Sequence, residues 1–298
     1  MASVGSASTV EITLILTFSR RTGRRDQSSY PMNETRTVLP ALSLCRRELV
    51  RFVRQRNRII GALATPLVFW LLIGAGMGRS FSAQGQPGGD NYLRYFFPGS
   101  LLMILLFTAI FSTISIIEDR REGFLQGVLV APVSRAAIVL GKVLGGTVLA
   151  FAQGLIFLLL APTVGIRLTA GSVLLTALVM IVVAFALTGL GFCIAWRMNS
   201  TQGFHAIMNL FLMPMWFLSG ALFPATGAVG GIGWVMRLNP LTYGLAALRR
   251  AIYLPDAAAA SAALPGWGVS LGVSVAFAAA MLVLASFIAA RRTAGDVE

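Results

Sequence analysis

The sequence predicts an all-α integral membrane protein. It has six transmembrane helices, an N-terminal amphipathic interfacial helix, short re-entrant helices between spans five and six, and both termini cytoplasmic. Three observations predict this. Hydrophobic residues make up 56% of the 298-residue chain and charged residues only 12%, about half the ~25% charge of a soluble domain. Six apolar runs lie near 59–78, 95–117, 143–164, 172–195, 204–223 and 267–289, and none of these runs contains Asp, Glu, Lys or Arg. Each is close to the ~20 residues a helix needs to cross about 30 Å of hydrocarbon. Finally, the basic residues are distributed unevenly over the loops between them. A soluble enzyme or a disordered chain could not carry so much apolar surface behind so few charges.

Residues 1–37 are polar, rich in Ser, Thr and Arg, and read as a flexible cytoplasmic extension. The apolar stretch Ile12–Phe18 is too short for a signal peptide and follows Glu11 rather than a basic region. Coherent patterning begins only after Met32, which is therefore a candidate natural start. Over 38–58, Leu42, Cys45, Leu49, Phe52 and Val53 recur at helical spacing among Arg46, Arg47, Arg51, Arg54, Arg56 and Arg58. Beside a first span, such a basic amphipathic helix lies in the interface with its arginines at the headgroups. A soluble helix preceding the span is the alternative.

Residues 59–291 form the membrane domain. Pro66, Gly74, Gly76, Pro162 and Pro214 within the runs are tolerated in membrane spans. The positive-inside rule sets the orientation. With both termini inside, the cytoplasmic side holds eleven arginines before span one, with Arg120, Arg121, Arg135, Lys142, Arg197, Arg291 and Arg292. Only Arg79, Arg94, Arg167, Arg237, Arg249 and Arg250 face outward. The net charge of +13 thus fits anionic lipid and a cytoplasmic partner rather than nucleic acid. Within the outer segment 224–266, arginines and the Asn239–Pro240 turn interrupt the apolar run. Two short re-entrant helices fit it better than a seventh span. Arg249 and Arg250 there read as interfacial anchors or as a lure for anionic headgroups or phosphate. Residues 292–298 form a cytoplasmic tail.

The absences narrow the chemistry. No G-x-x-x-x-G-K-[ST] loop occurs, since Ala136 stands where its first glycine would precede Gly141–Lys142. The spans offer no carboxylate for a coupling ion, which weakens the reading as a secondary carrier or channel acting alone. His205, the sole histidine, has no visibly paired serine, so neither an enzyme nor a metal site is expected. Cys45 and Cys193 lack redox or metal spacing and are expected to stay unpaired. Ser112, Thr113, Gln153 and Asn209 are the polar groups a pathway could use, or they hydrogen-bond between helices. Gly141 with Gly145, and Gly268 with Gly272, have the spacing for close helix approach.

The loop 118–136 between spans two and three is the most informative stretch. Glu118, Asp119, Arg120, Arg121 and Glu122 are followed by Gly123, Phe124 and Leu125, then by Pro132, Ser134 and Arg135. It reads as a short amphipathic cytoplasmic helix stopped at Pro132, pressing its apolar residues on a protein surface, with Ser134 capping the next helix. An ordinary solvated loop is the other reading.

That run, E-D-R-R-E-G-F-L-Q-G-V-L-V-A-P-V-S-R-A-A-I-V-L-G-K, resembles the signature loop of ABC-2 type permeases, the membrane subunits of ABC exporters. The basic helix before span one, the six spans and N-P-L-T-Y-G-L-A-A-L-R-R after span five extend the resemblance over roughly 41–291. It looks closest to the multidrug and polysaccharide-export branches. The resemblance implies a permease in the prokaryotic-type inner membrane that pairs with a second copy or a paralogue. It also implies two ATP-hydrolysing subunits, which would carry ATP and Mg. Glu118, Asp119, Arg120, Arg121, Glu122, Gly123, Phe124, Leu125, Pro132, Ser134 and Arg135 would form the coupling helix. Arg46, Arg47, Arg51 and Arg54 would supply a second ATPase contact. The implied substrate is lipophilic, amphiphilic or lipid-linked: a drug, lipid or glycan.

Overall fold

In hydrocarbon a spanning backbone must satisfy its own polar groups, and a helix does so within one segment. The computed structural model describes residues 35–77, 92–130, 133–222, 230–256 and 265–291, and among these every regular element is helical. The extension before residue 35, the tail after 291 and Pro132 lie outside the described residues.

The chain opens with α1 (Thr35–Arg54) and α2 (Arg56–Met77), parted at Gln55. Then come α3 (Tyr92–Ser112), α4 (Ile114–Arg121), α5 (Phe124–Val130) and α6 (Arg135–Leu158). A 3-10 turn (Ala161–Val164) leads to α7 (Ala170–Ala195) and α8 (Thr201–Phe217). Two short helices, α9 (Gly230–Leu238) and α10 (Pro240–Ile252), precede α11 (Trp267–Ala290). Asn239 parts these two: its Oδ1 accepts the Leu241 N–H at 3.0 Å while its Nδ2 donates to the Met215 carbonyl at 2.6 Å.

Among the described residues four helical stretches are long and apolar enough to cross a membrane: Tyr92–Arg121, Arg135–Leu158, Ala170–Ala195 and Trp267–Ala290. Helix α2 has 22 residues, of which Leu63–Gly76 is the apolar stretch among the described residues. Helix α8 has 17 residues and ends in the turn that carries Gly220 at φ 88°. The protein is thus an integral membrane protein, all-helical among the described residues.

Helix α3 is the axis of the bundle. Phe96, Phe97, Leu101, Leu102, Leu105 and Ile110 have no exposed surface, and α3 packs against α2, α6 and α7. Lipid is as apolar as Leu, so burial here is driven by close packing rather than escape from water. Two aromatic contacts illustrate this: Phe97 stacks on Phe157 at 4.7 Å, and Trp70 meets Phe157 edge-on at 5.4 Å. Helix α7 packs on α6, α10 and α11, whereas α11 leaves Val269, Val275, Val283 and Phe287 exposed.

Glycines allow the closest approaches. A Cβ on Gly141 would stand 2.7 Å from Leu44 Cβ and 2.8 Å from the Ala41 carbonyl, and one on Gly145 would stand 2.8 Å from Glu48 Cβ. The Gly141/Gly145 pair therefore seats α1 on α6. By contrast, Gly268 and Gly272 have nothing within 4 Å. Helix α1 accordingly turns Ala41, Leu44, Cys45, Glu48 and Phe52 inward and leaves Leu42, Arg46, Val53 and Arg54 exposed. Burial, and secondarily the neighbouring Glu48, push the Cys45 thiol pKa up, which keeps it unreactive.

Gly141→Val should therefore unseat α1 and cost about 1–3 kcal/mol by overpacking, while Gly272→Val should be near neutral. Thermal unfolding of the two variants in detergent checks this; equal stability would mean that α1 is not held on α6.

Candidate functional site

Two hydroxyls bond back to the preceding turn where α3 passes into α4 at Thr113. Ser112 Oγ donates to the Ala109 carbonyl at 2.7 Å and Thr113 Oγ1 to the Ile110 carbonyl at 2.6 Å. Such back-bonding often bends a helix. Gly146 and Gly191 make room for the two hydroxyls, since a Cβ there would fall 2.3 Å from Ser112 Oγ and 2.9 Å from Thr113 Oγ1. The acidic and basic run is therefore not a separate loop helix. Residues 118–121 continue the second span as α4, and the amphipathic piece is the seven-residue α5. Between them the Glu122 N–H donates to the Glu118 carbonyl at 2.9 Å, and Gly123 turns the chain at φ 74°, a left-handed conformation that glycine adopts without steric cost. Ser134 N-caps α6, its Oγ accepting the Ala137 N–H at 3.2 Å, and it also donates to Thr37 Oγ1 at 3.3 Å.

Asp119 is completely buried. Arg47 reaches it with both prongs, Nη1 to Oδ2 at 3.0 Å and Nη2 to Oδ1 at 2.9 Å. Arg51 Nη1 adds a third bond at 2.7 Å. The Lys142 ammonium, itself buried, contacts Asp119 and Glu48 and donates to Ser115 Oγ at 3.2 Å. The other prong of Arg51 holds Glu118 at 2.8 Å and Glu122 at 3.3 Å. The Arg47 guanidinium lies 3.6 Å from the ring centroid of Phe124, which ties α5 to the same junction. Three cations from α1 and α6 thus face four carboxylates from α1, α4 and the following turn. A buried carboxylate is tolerable only with such pairing.

The remaining arginines of the run tie α4 and α6 to other helix ends. Arg120 Nη2 donates to the Trp196 carbonyl at 2.5 Å, Nη1 bonds Asn199 Oδ1 at 3.1 Å, and Arg121 Nε bonds the Asn199 carbonyl at 3.0 Å. Arg135 Nη1 donates to the Ala289 carbonyl at 2.7 Å. Both sets place a cation at a helix C-terminus, where carbonyls lack partners and the dipole is negative. Leu125 is buried, while Arg121, Glu122, Gln126, Gly127 and Val130 are exposed, as are Arg46 and Arg54 on α1.

Glu48 and Lys142 complete the junction, and neither was singled out as a site residue by sequence reasoning. Each carried a signal: Glu48 is the sole acid between 38 and 58, and Lys142 the sole lysine of the chain. The reading of Lys142 as a loop charge is corrected. It sits two turns inside α6, where Glu48 and Asp119 compensate it.

Beside the junction, a cavity of about 610 Å³ opens between α2, α3 and α8. Phe52, Phe107 and Phe111 line it together with His205, Asn209 and Ser112, and Glu118 belongs to both cavity and junction. Gln153 lies elsewhere, buried and hydrogen-bonded to Thr108. Among the described residues no group of His, Cys, Asp or Glu could hold a metal ion.

The sequence pattern of the ABC-2 type transporter family matches residues 41–253, a stretch that contains the whole junction. The chain belongs to this family. The ABC-2 permease is 27% identical over 209 residues to the ycf38 protein of Cyanophora paradoxa, named as a transport permease, covering 69% of this chain and 71% of that one. It is 30% identical over 198 residues to nodulation protein J of Rhizobium meliloti, covering 64% and 72%. YbhR of Escherichia coli, named as a multidrug ABC transporter permease, is 26% identical over 168 residues, covering 56% and 45%.

Removing one buried partner of the permease's junction should cost more than removing two that face each other. Lys142→Met should destabilise by about 3–5 kcal/mol, and Glu48→Gln added to it should recover part of that loss. A thermal double-mutant cycle checks it; strictly additive losses would show that the two residues are not coupled.

Proposed function

We propose that this ABC-2 permease forms the substrate pathway of an ATP-driven exporter and is worked by separate ATP-hydrolysing subunits. Those subunits bind ATP and Mg; this chain contributes the path and the lever. The observation that carries the reading is the ionic junction itself. It joins the basic helix α1, the α4–α5 corner and α6 through one buried carboxylate, so a push on the corner is passed to three helices together. Because such an interior is bistable rather than compliant, a small displacement there can tip the bundle between inward- and outward-open packings.

In this reading the membrane is crossed six times with both termini inside, and α9–α10 dips into the outer leaflet of the inner membrane. The ATPase docks on the exposed rim of the corner, with Glu122, Gln126 and Val130 facing it and Arg46 and Arg54 beside them. Two permease copies, or this one and a paralogue, pair in the lipid. The cavity receives the substrate. Its phenylalanine walls with scattered hydrogen-bonding groups suit a lipophilic, amphiphilic or lipid-linked molecule. This agrees with a family in which one relative carries a nodulation name and another a multidrug name.

Co-purification of the solubilised permease with its cognate ATPase tests the reading. Wild type should retain the ATPase and its nucleotide hydrolysis, and Glu122→Ala with Val130→Asp should weaken association by about tenfold, the scale of one interface anchor. If wild type retains no ATPase, the permease works alone as a carrier or channel. If the variant associates as wild type does, the docking face lies elsewhere.

A further inference from the structure

At the end of the bundle opposite the ionic junction, Arg249 on α10 poses an electrostatic problem. Its side chain is buried, with 5% of the residue exposed, and its Nε and Nη2 atoms have no hydrogen-bond partner among the described residues. The guanidinium lies 4.4 Å from the centroid of the Tyr95 ring. That contact covers the flat face of the fork and leaves its edge unanswered. Of the two roles the sequence left open, such burial disfavours simple interfacial anchoring. A buried guanidinium without an anion is costly, and an unsatisfied group of this kind calls for an explanation.

The neighbouring charges do not supply one. Arg94 is paired with Asp256 at 2.7 Å, and Arg250 Nε donates to the Pro265 carbonyl at 3.1 Å. The identity of the two free atoms is informative. Nε–H and the N–H of Nη2 on the same side are parallel donors along one edge of the guanidinium plane, the edge that grips two oxygens of a carboxylate or phosphate at once. The surroundings indicate depth in the membrane. Tyr92, Tyr95 and Tyr253 gather at this end, their hydroxyls bonded to the carbonyls of Leu222, Gly220 and Arg94. Aromatic residues of that type mark the headgroup level of a bilayer. Tyr95 lies 24 positions before Asp119 along nearly continuous helix, or about 36 Å at 1.5 Å per residue, so the two features sit at opposite membrane faces.

We infer that Arg249 is a phosphoryl-binding residue, its bidentate edge sealed in this conformation and occupied by a phosphate group when α10 and the start of α3 part. The phosphate could belong to a lipid headgroup or be free in solution; the recognition chemistry is the same. The Tyr95 ring, whose hydroxyl donates to the Gly220 carbonyl at 3.4 Å, covers the guanidinium in this conformation.

The test uses the full chain purified in a phosphate-free maltoside detergent, followed by thermal unfolding. One arm titrates inorganic phosphate against chloride at matched ionic strength. The other adds phosphatidic acid or, as a phosphate-free comparison, a neutral galactolipid to the micelles. Wild type should gain several degrees in Tm, saturably, with one or both phosphate sources and not with chloride or galactolipid. Response to inorganic phosphate identifies a free-anion site, and response to phosphatidic acid alone a headgroup site. Arg249→Lys, which keeps the charge but loses the fork, should weaken the response by about tenfold in concentration. Arg250→Gln should leave it unchanged. Without phosphate, Arg249→Gln should be at least as stable as wild type, because it removes an unmatched buried charge. A wild type indifferent to both phosphate sources, or an Arg249→Lys variant that responds as wild type does, would overturn the proposal.

Discussion

A carboxylate withdrawn entirely from solvent must be neutralised by the protein that buries it. In this permease Asp119 is neutralised from two other helices, by Arg47 and Arg51 on α1 and Lys142 on α6. The rest of this end of the bundle follows from that requirement. Arg47 and Arg51 can reach only if α1 lies against α6, and Gly141 and Gly145 are the residues that let it do so. Lys142 reaches the same carboxylate from α6, and Gly146 and Gly191 leave room for the Ser112 and Thr113 hydroxyls where α3 passes into α4. Four glycines and one aspartate thus specify a single arrangement of three helices.

The same arrangement explains why the ends of the long helices are held by arginines. Arg120 and Arg121 bind the backbone beyond α7, and Arg135 binds the last turn of α11. The bundle therefore has a stiff polar base and an apolar body whose packing depends on shape complementarity alone. Glu118 stands at the boundary: one of its oxygens is held by Arg51, and its side chain also lines the cavity of about 610 Å³. Cavity and junction therefore meet at one side chain.

What could be read from the sequence depended on the range of the interaction. The N-cap at Ser134 and the break at Asn239–Pro240 involve neighbours three or fewer residues away, so local rules suffice. The charged run at 118–122 was recognisable as chemistry, and Gly141 and Gly145 as a contact. Their partners were not, because Arg47 and Asp119 are 72 residues apart and no periodicity links them. Lys142 was misread for a physical reason: a charge at the border of an apolar run is normally its boundary, unless two buried carboxylates compensate it. For Arg249 the sequence left an interfacial anchor and a lure for phosphate side by side, since burial of an arginine on a ring such as Tyr95 leaves no trace in spacing.

Hydrogen–deuterium exchange on the purified permease with Asp119→Asn, a near-isosteric change that removes the charge and turns one acceptor oxygen into a donor facing the cations, tests the central claim most directly. If Asp119 holds three helices as one unit, protection should fall together over the inward turns of α1 around Arg47 and Arg51, over α4, and over the first turns of α6 around Lys142. Loss of protection confined to α4, with α1 and the start of α6 unchanged, would contradict the account.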